Sequence, residues 1–463
     1  MGLKKIFQFI PELTKPEEKK LSFNVKLKWT LIVLGAFFIL ANIPLFGLSA
    51  NALSRFEYLA TIMGADFGSI ISLGIGPIVM ASIILQLLTG AEIINIDTST
   101  VEGKKFFQGL QKLLVFFFII FEAVVYVLMN GLQAIPGFKG IVILQLILGG
   151  LAIYYMNELC EKWGFGSGVS LFIAAGVAWR LITSAFQFIG TQGANCLLDF
   201  SNTPCSGKIL VLIQSIINRY PIEFVSAFAA LVVTVLIFLA VVWAQSLKVE
   251  IPLSYGKVRG YGVKWPLSFF YASVIPVILA AALIANLQLF GGLLENWLGH
   301  ATWLGHFSNG QAVSGLSFWL GHVNILELAI RGGLLPRYIL QGVIHMISFI
   351  ILCTMFSVFW VKSSGMDAKA QAKKIASSGL QVAGFRQDIR ILESILDRYV
   401  MPLTIMGGAA IGLLASFTNL LGALVSGTAI LLVIMIMFQF YQNIAQQHMT
   451  DMNPAMRKFM GNI

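Results

Sequence analysis

Long stretches without a charged side chain are the feature that most constrains what this chain can fold into. Residues 399–450 contain no Asp, Glu, Lys or Arg, and residues 29–54 and 67–91 are equally free of charge. A helix needs about 20 mainly apolar residues to cross a bilayer. Only 11% of the residues are charged, against about 25% in soluble domains. We therefore expect a polytopic membrane protein, which excludes a soluble globular chain and a disordered one.

Charge-poor windows and turn residues together predict an all-α membrane protein with ten transmembrane helices. The predicted spans are residues 29–47, 67–91, 113–132, 141–156, 166–188, 224–246, 267–290 and 338–361, and two further spans divided at residues 419–422 within 399–450. Residues 296–326 are also uncharged, but their Gly, His, Ser and Asn content is typical of a loop. This loop contains His300, His306 and His322, whose scattered arrangement favours a solvated loop over a metal site, so no metal is expected.

Lysine and arginine residues are distributed unevenly between the two sides of these spans. All but seven of the 31 fall in the two tails or in the loops on the same side as the tails. The exceptions are Arg55, Lys139, Arg180, Lys208, Arg219, Arg331 and Arg337. Because cytosolic loops collect positive charge, both tails, 1–28 and 444–463, are predicted to be cytosolic. The protein is then a multi-pass protein of the cell membrane, and the amphipathic N-terminal tail is predicted to lie along lipid headgroups.

The longest polar break in the first two-thirds of the chain, residues 190–222, divides the spans five and five. The N-terminal half, 29–189, starts in the cytosol and ends outside. The C-terminal half, 223–443, therefore enters the membrane from the opposite side, as in an inverted repeat. Pro77 and Pro276 interrupt corresponding spans of the two halves. Such interruptions indicate a central site or pore, although membrane helices also tolerate proline for structural reasons.

Little in the sequence indicates catalysis. Cys196 and Cys205 lie in the predicted external linker, where a disulfide and two free thiols are open alternatives, and no CxxC pair or metal spacing occurs. Ser167 is a potential nucleophile, but the predicted helices hold no histidine apart from His345 and the tail-proximal His448, and no aspartate pair. No GxxxxGK[ST] motif for nucleotides is present. We therefore expect that the chain is not an enzyme and that it uses no cofactor.

Eight segments, in order along the chain, resemble the SecY family of protein-translocation channels. They are LGIGPIV (73–79), LQLLTG (85–90), FQGLQKLL (107–114), GFGSGVSLFIAAGV (164–177), VEIPLSYGKVRG (249–260), IPVILAAALIANLQ (275–288), GFR (384–386) and LGALVSGTAILL (421–432). The resemblance extends from the N-terminal tail to the tenth span and is closest to the archaeal branch. It implies two inverted five-helix halves around a central hourglass pore.

The resemblance implies that a ring of aliphatic side chains forms the waist of this pore. At the matching positions the pore ring comprises Ile75, Val79, Val169, Ile173, Ile278 and Leu432. The first two pairs are spaced i, i+4, so the members of each pair project from one helix face. An apolar constriction excludes water and ions, yet it deforms around a polypeptide without binding it tightly.

The resemblance also implies a plug, a lateral gate and a ribosome-docking surface. The plug corresponds to residues 49–68, with Arg55, Phe56, Leu59, Ile62 and Phe67 as its predicted functional residues. The lateral gate residues are Met80, Glu122 and Asn286, where Met80 replaces the threonine of many relatives. The ribosome contacts are Lys257, Arg259 and Arg386, on the cytosolic loops 247–266 and 362–398. Basic side chains suit RNA phosphates, although positive-inside bias alone explains most of the charge.

The function implied by the resemblance is that of the central pore-forming subunit of the Sec protein translocase. Such a subunit is a passive gated channel that secretes unfolded polypeptides and releases membrane-protein helices sideways into lipid. The implied partners are a SecE-type small subunit, a second small tail-anchored subunit, the ribosome, secretory polypeptides with signal sequences, and the bilayer. A secondary transporter of a small solute is the alternative, because ten spans in inverted halves also suit one. Its interior would need ionisable groups, whereas this interior is almost wholly aliphatic apart from Glu122 and Asn286.

Overall fold

The fold is described from a computed structural model, which gives the placement of most of the chain. The described residues are 11–17, 21–51, 63–91, 93–94, 96, 100–190, 195–196, 198, 200, 203–255, 262–272, 274–308, 311–377, 380–382 and 388–452. The helices are α1 (Phe23–Ala41), α2 (Gly76–Gly90), α3 (Val101–Leu128), α4 (Lys139–Trp163), α5 (Gly168–Phe186), α6 (Lys208–Ile217), α7 (Pro221–Gln245), α8 (Ile275–Leu298), α9 (Leu316–Leu320), α10 (Ile325–Ile330), α11 (Pro336–Ser363), α12 (Ala368–Ser377), α13 (Ile389–Leu421) and α14 (Gly427–Met452). The strands are β1 (Leu48–Asn51), β2 (Leu132–Ala134), β3 (Lys248–Tyr255), β4 (Gly262–Ser268), β5 (His306–Ser308), β6 (Gln311–Ser314) and β7 (Leu380–Val382).

Ten of these helices correspond to the ten predicted spans, which confirms the all-α membrane fold. Among the described residues, nine helices are long and apolar enough to cross a bilayer. The tenth helix, α2, has 15 residues and follows a series of turns over residues 67–75. The uncharged window 296–326 forms no span: beyond the end of α8 it contains a β-hairpin and the short helix α9, as predicted for a loop.

Three helices begin well before the charge-free windows predicted, and one of them, α13, begins at Ile389 instead of residue 399. Helix α1 begins at Phe23 instead of residue 29, and α3 begins at Val101 instead of residue 113. The backbone N–H of Gly103 donates to the Thr100 hydroxyl at 3.1 Å and so caps α3. The windows detect the part of a helix that lies in hydrocarbon, whereas backbone hydrogen bonding continues into water until a cap or breaker ends it.

Pro77 and Pro276, which were predicted to interrupt two spans, begin their helices instead. Helix α2 starts at Gly76-Pro77, and α8 starts at Ile275-Pro276. Proline fits the first turn of a helix because its missing N–H has no helical acceptor there. The predicted spans 67–91 and 267–290 are therefore wrong at their starts: turns precede α2, and residue 267 belongs to β4.

Three small antiparallel sheets occur among the described residues, and the sequence predicted none of them. Strand β1 pairs with β2, and β5 pairs with β6. Strands β4, β3 and β7 form a three-stranded sheet in that order. Because β3 follows α7 and β7 follows α12, this sheet joins the two loops that were predicted to be cytosolic.

A disulfide joins Cys196 to Cys205, with their Cα atoms 5.4 Å apart. An isolated bridge between Ile189 and Asn195 turns the chain back just before Cys196. The structure thus selects the disulfide from the two alternatives that the sequence left open. A disulfide persists in an oxidising environment, so this loop suits the external side of the membrane.

The helices of the two predicted halves meet along two seams. At one seam α2 packs against α8 and α11, and at the other α14 packs against α1 and α5. One continuous cluster of buried apolar side chains runs through both halves. Any polypeptide path through the centre of the bundle has to part this cluster.

Helices α11 and α13 approach each other closely because small residues line α13. A Cβ atom on Gly408 would lie 2.8 Å from the Ser357 Cβ, and one on Gly412 would lie 2.9 Å from the Ile350 Cα. Glycines at i, i+4 spacing let the backbones of membrane helices come together. This close approach allows polar side chains to reach across from α11 to the C-terminal end of α13.

Residues 11–16 lie against the ends of α3 and α4 on the predicted cytosolic side. Lys112 pairs with Glu12, and its Nζ lies 3.4 Å from the Glu158 Oε1. Lys162 donates to the same Glu158 oxygen at 2.8 Å. The hydrogen bond from Lys112 lowers the pKa of the Glu12 carboxyl below its usual range. The docked segment is therefore stabilised by an ionised carboxylate.

Acidification is expected to loosen residues 11–16. Because the folded pKa of Glu12 is depressed, its stabilisation is complete above the unfolded pKa of about 4.3 and is lost as the pH falls through the folded value. The effect is about 1 kcal/mol or less, because solvent screens this half-exposed pair. Hydrogen exchange of residues 11–16, corrected for intrinsic rates, measures it. Glu12→Gln should show the loosened state at pH 7 and Glu17→Gln should not; equal protection in the two variants would contradict the prediction.

Candidate functional site

The side chains predicted to form the pore ring come from four helices that contact one another in series. Helix α2 packs against α8, α8 against α14, and α14 against α5. Ile75 and Val79 lie at the start of α2, Val169 and Ile173 on α5, Ile278 on α8, and Leu432 on α14. Five of the six are buried members of one apolar cluster, and Val169 is partly buried against it. The structure thus places all six predicted positions in or against one buried aliphatic cluster, referred to below as the constriction.

Hydrogen bonds from backbone N–H groups hold the starts of two of these helices, α5 and α2. The Val169 N–H donates to the Asn157 Oδ1 at 2.9 Å, which holds the start of α5 on α4. The Ile75 N–H donates to the Met63 carbonyl at 2.8 Å, which holds the start of α2 on the segment before it. Two helix starts that carry aliphatic side chains of the constriction are therefore fixed by specific polar contacts.

Residues 63–68, the described end of the predicted plug, lie against this constriction. Met63 is buried, and its Cε lies 2.8 Å from the place of a Cβ on Gly76. A Cβ on Gly64 would lie 3.4 Å from the Phe172 Cβ and 3.6 Å from the Ile75 Cγ2. Of the predicted plug residues, Phe67 is partly buried, whereas Arg55, Phe56, Leu59 and Ile62 lie outside the described residues. The described end of the plug segment therefore touches a ring residue directly.

The predicted lateral gate residues lie on two helices of the seam between the halves, α2 and α8, and on α3, which packs against α2. Met80 is partly buried on α2, Glu122 is buried on α3, and Asn286 is buried on α8. Helix α2 packs against both α3 and α8. The Glu122 Oε2 lies 3.0 Å from the place of a Cβ on Gly76, so the carboxyl group faces the first turn of α2.

Buried polar atoms without partners mark this seam. Among the described residues, neither oxygen of Glu122 has a hydrogen-bond partner, and the Tyr126 hydroxyl also has none. The Asn286 amide nitrogen donates to the Ala282 carbonyl of its own helix at 2.9 Å, and its Oδ1 is unpartnered. Unsatisfied buried polar groups cost free energy. The closed seam is therefore less stable than a wholly apolar one, which suits an interface that opens.

Sequence reasoning missed three further polar residues on α2 and α3. The Gln111 Nε2 on α3 donates to the Ser82 Oγ on α2 at 2.8 Å. Gln86 is buried on α2, with its Oε1 unpartnered among the described residues. An uncharged amide in an apolar helix gives no periodic signal, so only the packing of α2 identifies these residues.

The predicted ribosome contacts Lys257, Arg259 and Arg386 lie outside the described residues. The strands beside them are described: Leu253 pairs with Val382, and Tyr255 pairs with Leu380. The strand before Lys257 and the strand before Arg386 are therefore neighbours in one sheet. This sheet therefore joins the described parts of the two loops.

The residues considered for other chemistry have structural roles. The Ser167 hydroxyl accepts from the Ser170 N–H at 3.5 Å and caps α5. His306 pairs with Glu295 across the hairpin that follows α8. Within the described part of the chain, no group of three or more His, Cys, Asp or Glu side chains could hold a metal ion.

A membrane helix bundle with an aliphatic constriction at its centre, a segment against that constriction and a polar seam beside it has the architecture of a gated channel. The sequence profile of the SecY family matches residues 69–441. The chain is 41% identical to the protein translocase subunit SecY of Methanothermobacter thermautotrophicus, over 99% of this chain and 98% of the relative.

Solved structures show the same fold. A structure of SecY described as showing that its plug domain stabilises the closed translocation channel and maintains a membrane seal has a TM-score of 0.81 and 36% identity, covering 97% of both chains. Sec61 in a canine ribosome–channel complex from the endoplasmic reticulum has a TM-score of 0.78 and 35% identity, again covering 97% of both chains. The chain belongs to the SecY family.

Proposed function

We propose that this chain is the central pore-forming subunit of a Sec protein translocase. The observation that supports the proposal most is that the six predicted ring side chains, on four contacting helices from both halves, belong to or pack against one buried apolar cluster. Such a ring blocks ions by excluding water and still yields to a polypeptide. The chain is a passive channel, and it is neither an enzyme nor a solute transporter.

The segment 49–68 acts as the plug in this proposal. Its described end contacts Ile75 and Phe172, and a solved relative has a plug that stabilises the closed channel. Displacing the segment would expose Met63, which is now buried, so the closed state is favoured when no polypeptide is present.

The seam of α2 and α3 against α8 and α11 acts as the lateral gate. Met80, Glu122 and Asn286 lie on this seam, and their unpartnered polar atoms support the idea that it parts. Release of an apolar segment through this seam would insert it into lipid. The two predicted halves would then move apart at this seam while they stay joined at the seam of α14 with α5.

The proposed partners are the ribosome, secretory polypeptides with signal sequences, a SecE-type small subunit and a second small tail-anchored subunit. A related Sec61 structure is a ribosome–channel complex, which supports a ribosome contact through Lys257, Arg259 and Arg386. Contacts between basic side chains and RNA phosphates weaken with salt. We place the protein in the cell membrane with both termini cytosolic, and the Cys196–Cys205 disulfide supports an external position for the loop before α6.

Site-specific photocrosslinking of a ribosome-stalled secretory chain tests the proposal. Probes at Ile75, Ile173 and Ile278 are expected to form adducts with the stalled chain, because a polypeptide in the pore must pass the constriction. A probe at Ile405, which is 43% exposed on α13, faces lipid and should form none.

Absence of adducts at all three ring positions, with the ribosome engaged, would mean that the polypeptide takes another path. Equal adducts at Ile405 would show that crosslinking is unspecific and would remove the support for a central path. A signal peptide variant that is not recognised gives the background for each probe.

A further inference from the structure

The outer end of the C-terminal half contains a buried network of hydrogen bonds that the channel function does not by itself explain. His345 on α11 and Asn419 on α13 are both buried. The His345 Nδ1 lies 2.8 Å from the Leu320 carbonyl, and its Nε2 lies 3.3 Å from the Asn419 Nδ2. The Asn419 Nδ2 also lies 2.6 Å from the Thr428 Oγ1, in the first turn of α14.

The carbonyl at one end of this hydrogen-bond network determines which atom donates and which accepts in each bond. A carbonyl only accepts, so the His345 Nδ1 carries the proton, and the Nε2 accepts from the Asn419 amide. The second amide hydrogen of Asn419 goes to the Thr428 hydroxyl, and the Asn419 Oδ1 accepts from the Thr428 N–H at 2.8 Å. The Asn419 side chain thus uses both its donors and its acceptor, and it satisfies a backbone N–H that α14 itself leaves without a helical acceptor.

The inner end of the hydrogen-bond network, Thr428, lies one helical turn from the ring residue Leu432. Thr428 and Leu432 are spaced i, i+4 on α14, so they share one face of that helix. Both are buried. A shift or rotation of the first turn of α14 would therefore move Leu432 within the constriction.

At its outer end, the hydrogen-bond network binds the short helix α9 through the Leu320 carbonyl. The Gly321 N–H donates to the Phe318 carbonyl of α9 at 3.1 Å, and side chains of other helices also bind carbonyls of α9. The Gln341 Nε2 on α11 donates to the Phe318 carbonyl at 2.8 Å, and the Gln288 Nε2 on α8 donates to the Ser317 carbonyl at 3.2 Å. Helix α9 is thereby bound to α8, which carries Ile278, and to α11.

We propose that His345 and Asn419 are positioning residues for the pore ring, because their hydrogen bonds fix the first turn of α14 against α11 and α9. The proposal rests on the channel function proposed above. Together with Gln288, they keep the two ring-bearing helices of the C-terminal half, α8 and α14, in one arrangement. The closed constriction then depends on polar contacts outside the ring as well as on the apolar side chains within it.

Two exchanges of His345 separate positioning from simple core packing. Glutamine places an amide oxygen near the position of Nε2 and can still accept from Asn419, whereas leucine is apolar and can accept no hydrogen bond. If His345 only fills the core, leucine should serve at least as well as glutamine. If it positions α14, His345→Leu should raise the resting ion flux about tenfold, since an unpaired buried amide shifts a two-state equilibrium by about that factor, and His345→Gln should stay within about twofold of the parent.

Ion flux into vesicles that contain the full chain, without a translocating polypeptide, is the readout. Thr428→Val keeps the shape of the side chain but removes the acceptor for Asn419, and it should leak like His345→Leu. Thr418→Val is the matched control, because within the described part of the chain the Thr418 hydroxyl bonds to the Ala415 carbonyl of its own helix, at 2.7 Å, and to no other helix. If His345→Leu does not fold, the comparison of Thr428→Val with Thr418→Val decides the question alone.

Equal flux for His345→Leu and His345→Gln, or equal flux for Thr428→Val and Thr418→Val, would overturn the positioning role. A ring variant, Ile278→Thr, distinguishes this result from failure of the channel function. If Ile278→Thr leaks and the network variants do not, the channel stands and the positioning role falls. If no variant leaks, Ile278→Thr included, the ring does not set the seal and the positioning role falls, whereas the channel function itself is decided by the photocrosslinking of the stalled chain.

Discussion

Exchanging Ile278 for threonine should open an ion leak through the resting protein about ten- to a hundredfold greater than that of the parent. Ile278 is 5% exposed and lies in the aliphatic constriction on α8. Threonine keeps the branch at Cβ but loses the terminal methyl group, and it places a hydroxyl where water is excluded. Burial of an isoleucine side chain is worth about 1.5–3 kcal/mol, and a barrier lowered by that amount raises a rate about ten- to a hundredfold.

Potassium flux across vesicles, with the unfolding temperature of each variant measured alongside, checks this result. The matched control is Ile405→Thr, since Ile405 is 43% exposed on the outer face of α13. Leu432→Asn should leak in the same way, because Leu432 lies in the same cluster on α14. Translocation of a secretory chain should continue in the ring variants, since a polypeptide still fits the widened waist.

An Ile278→Thr variant that is stable and seals as well as the parent would contradict the prediction. The constriction would then be ordinary core packing, and the seal would lie elsewhere, in the segment 49–68 alone. A leak of equal size in Ile405→Thr would instead show that any added hydroxyl loosens the bundle. Each of these results removes the special role of the ring.

The membrane-spanning helices were predictable from the sequence because lipid permits so few alternatives. A backbone in hydrocarbon must satisfy its own hydrogen bonds, so an uncharged window of sufficient length forms a helix. The windows failed at the ends of helices: α3 begins in water at a Thr100 cap, α8 begins at Ile275-Pro276 after a strand, and α1 ends at Ala41 instead of residue 47. Contact with water and capping residues set those boundaries, and a search for uncharged windows detects neither of them.

Contacts between distant parts of the chain could not be predicted in the same way. Strand β3 contains Pro252, which argues against a strand, and its partner β7 lies more than a hundred residues further along the chain. The Asn419 amide bonds to His345, 74 residues away. A single polar residue has no period, so its partner becomes known only when α11 and α13 are seen to pack.

The pore ring itself was selected by resemblance to a family and not by its pattern. Helices α2 and α8 are apolar on all sides, so the spacing of Ile75 and Val79 does not distinguish a pore face from a packed one. The structure adds what the pattern lacks, namely that α2, α8, α14 and α5 contact one another in series. The role of these side chains in sealing is what the ion-flux measurements test.

Gly149→Ala should destabilise the protein more than the same exchange at either of the other two glycines of α4, Gly140 and Gly150. A Cβ atom at Gly149 would lie 1.9 Å from the Ile70 carbonyl oxygen and 2.9 Å from the Ile70 carbonyl carbon. These are backbone atoms in the series of turns that leads into α2, so no flexible side chain can move aside. Overpacking of a core costs about 1–3 kcal/mol, and a contact this short against backbone belongs at the upper end of that range.

Gly140→Ala on the same helix provides the control, because nothing lies within 4 Å of a Cβ at Gly140. Alanine is favoured over glycine in a helix by about 1 kcal/mol or less, so this variant should be as stable as the parent or slightly more so. Unfolding temperatures of the two variants in lipid nanodiscs measure the difference. If Gly149→Ala were as stable as Gly140→Ala, the turns over residues 67–75 would have to move away from α4 without cost. Since those turns end at Ile75, such freedom would also mean that α4 does not hold the first ring residue in place.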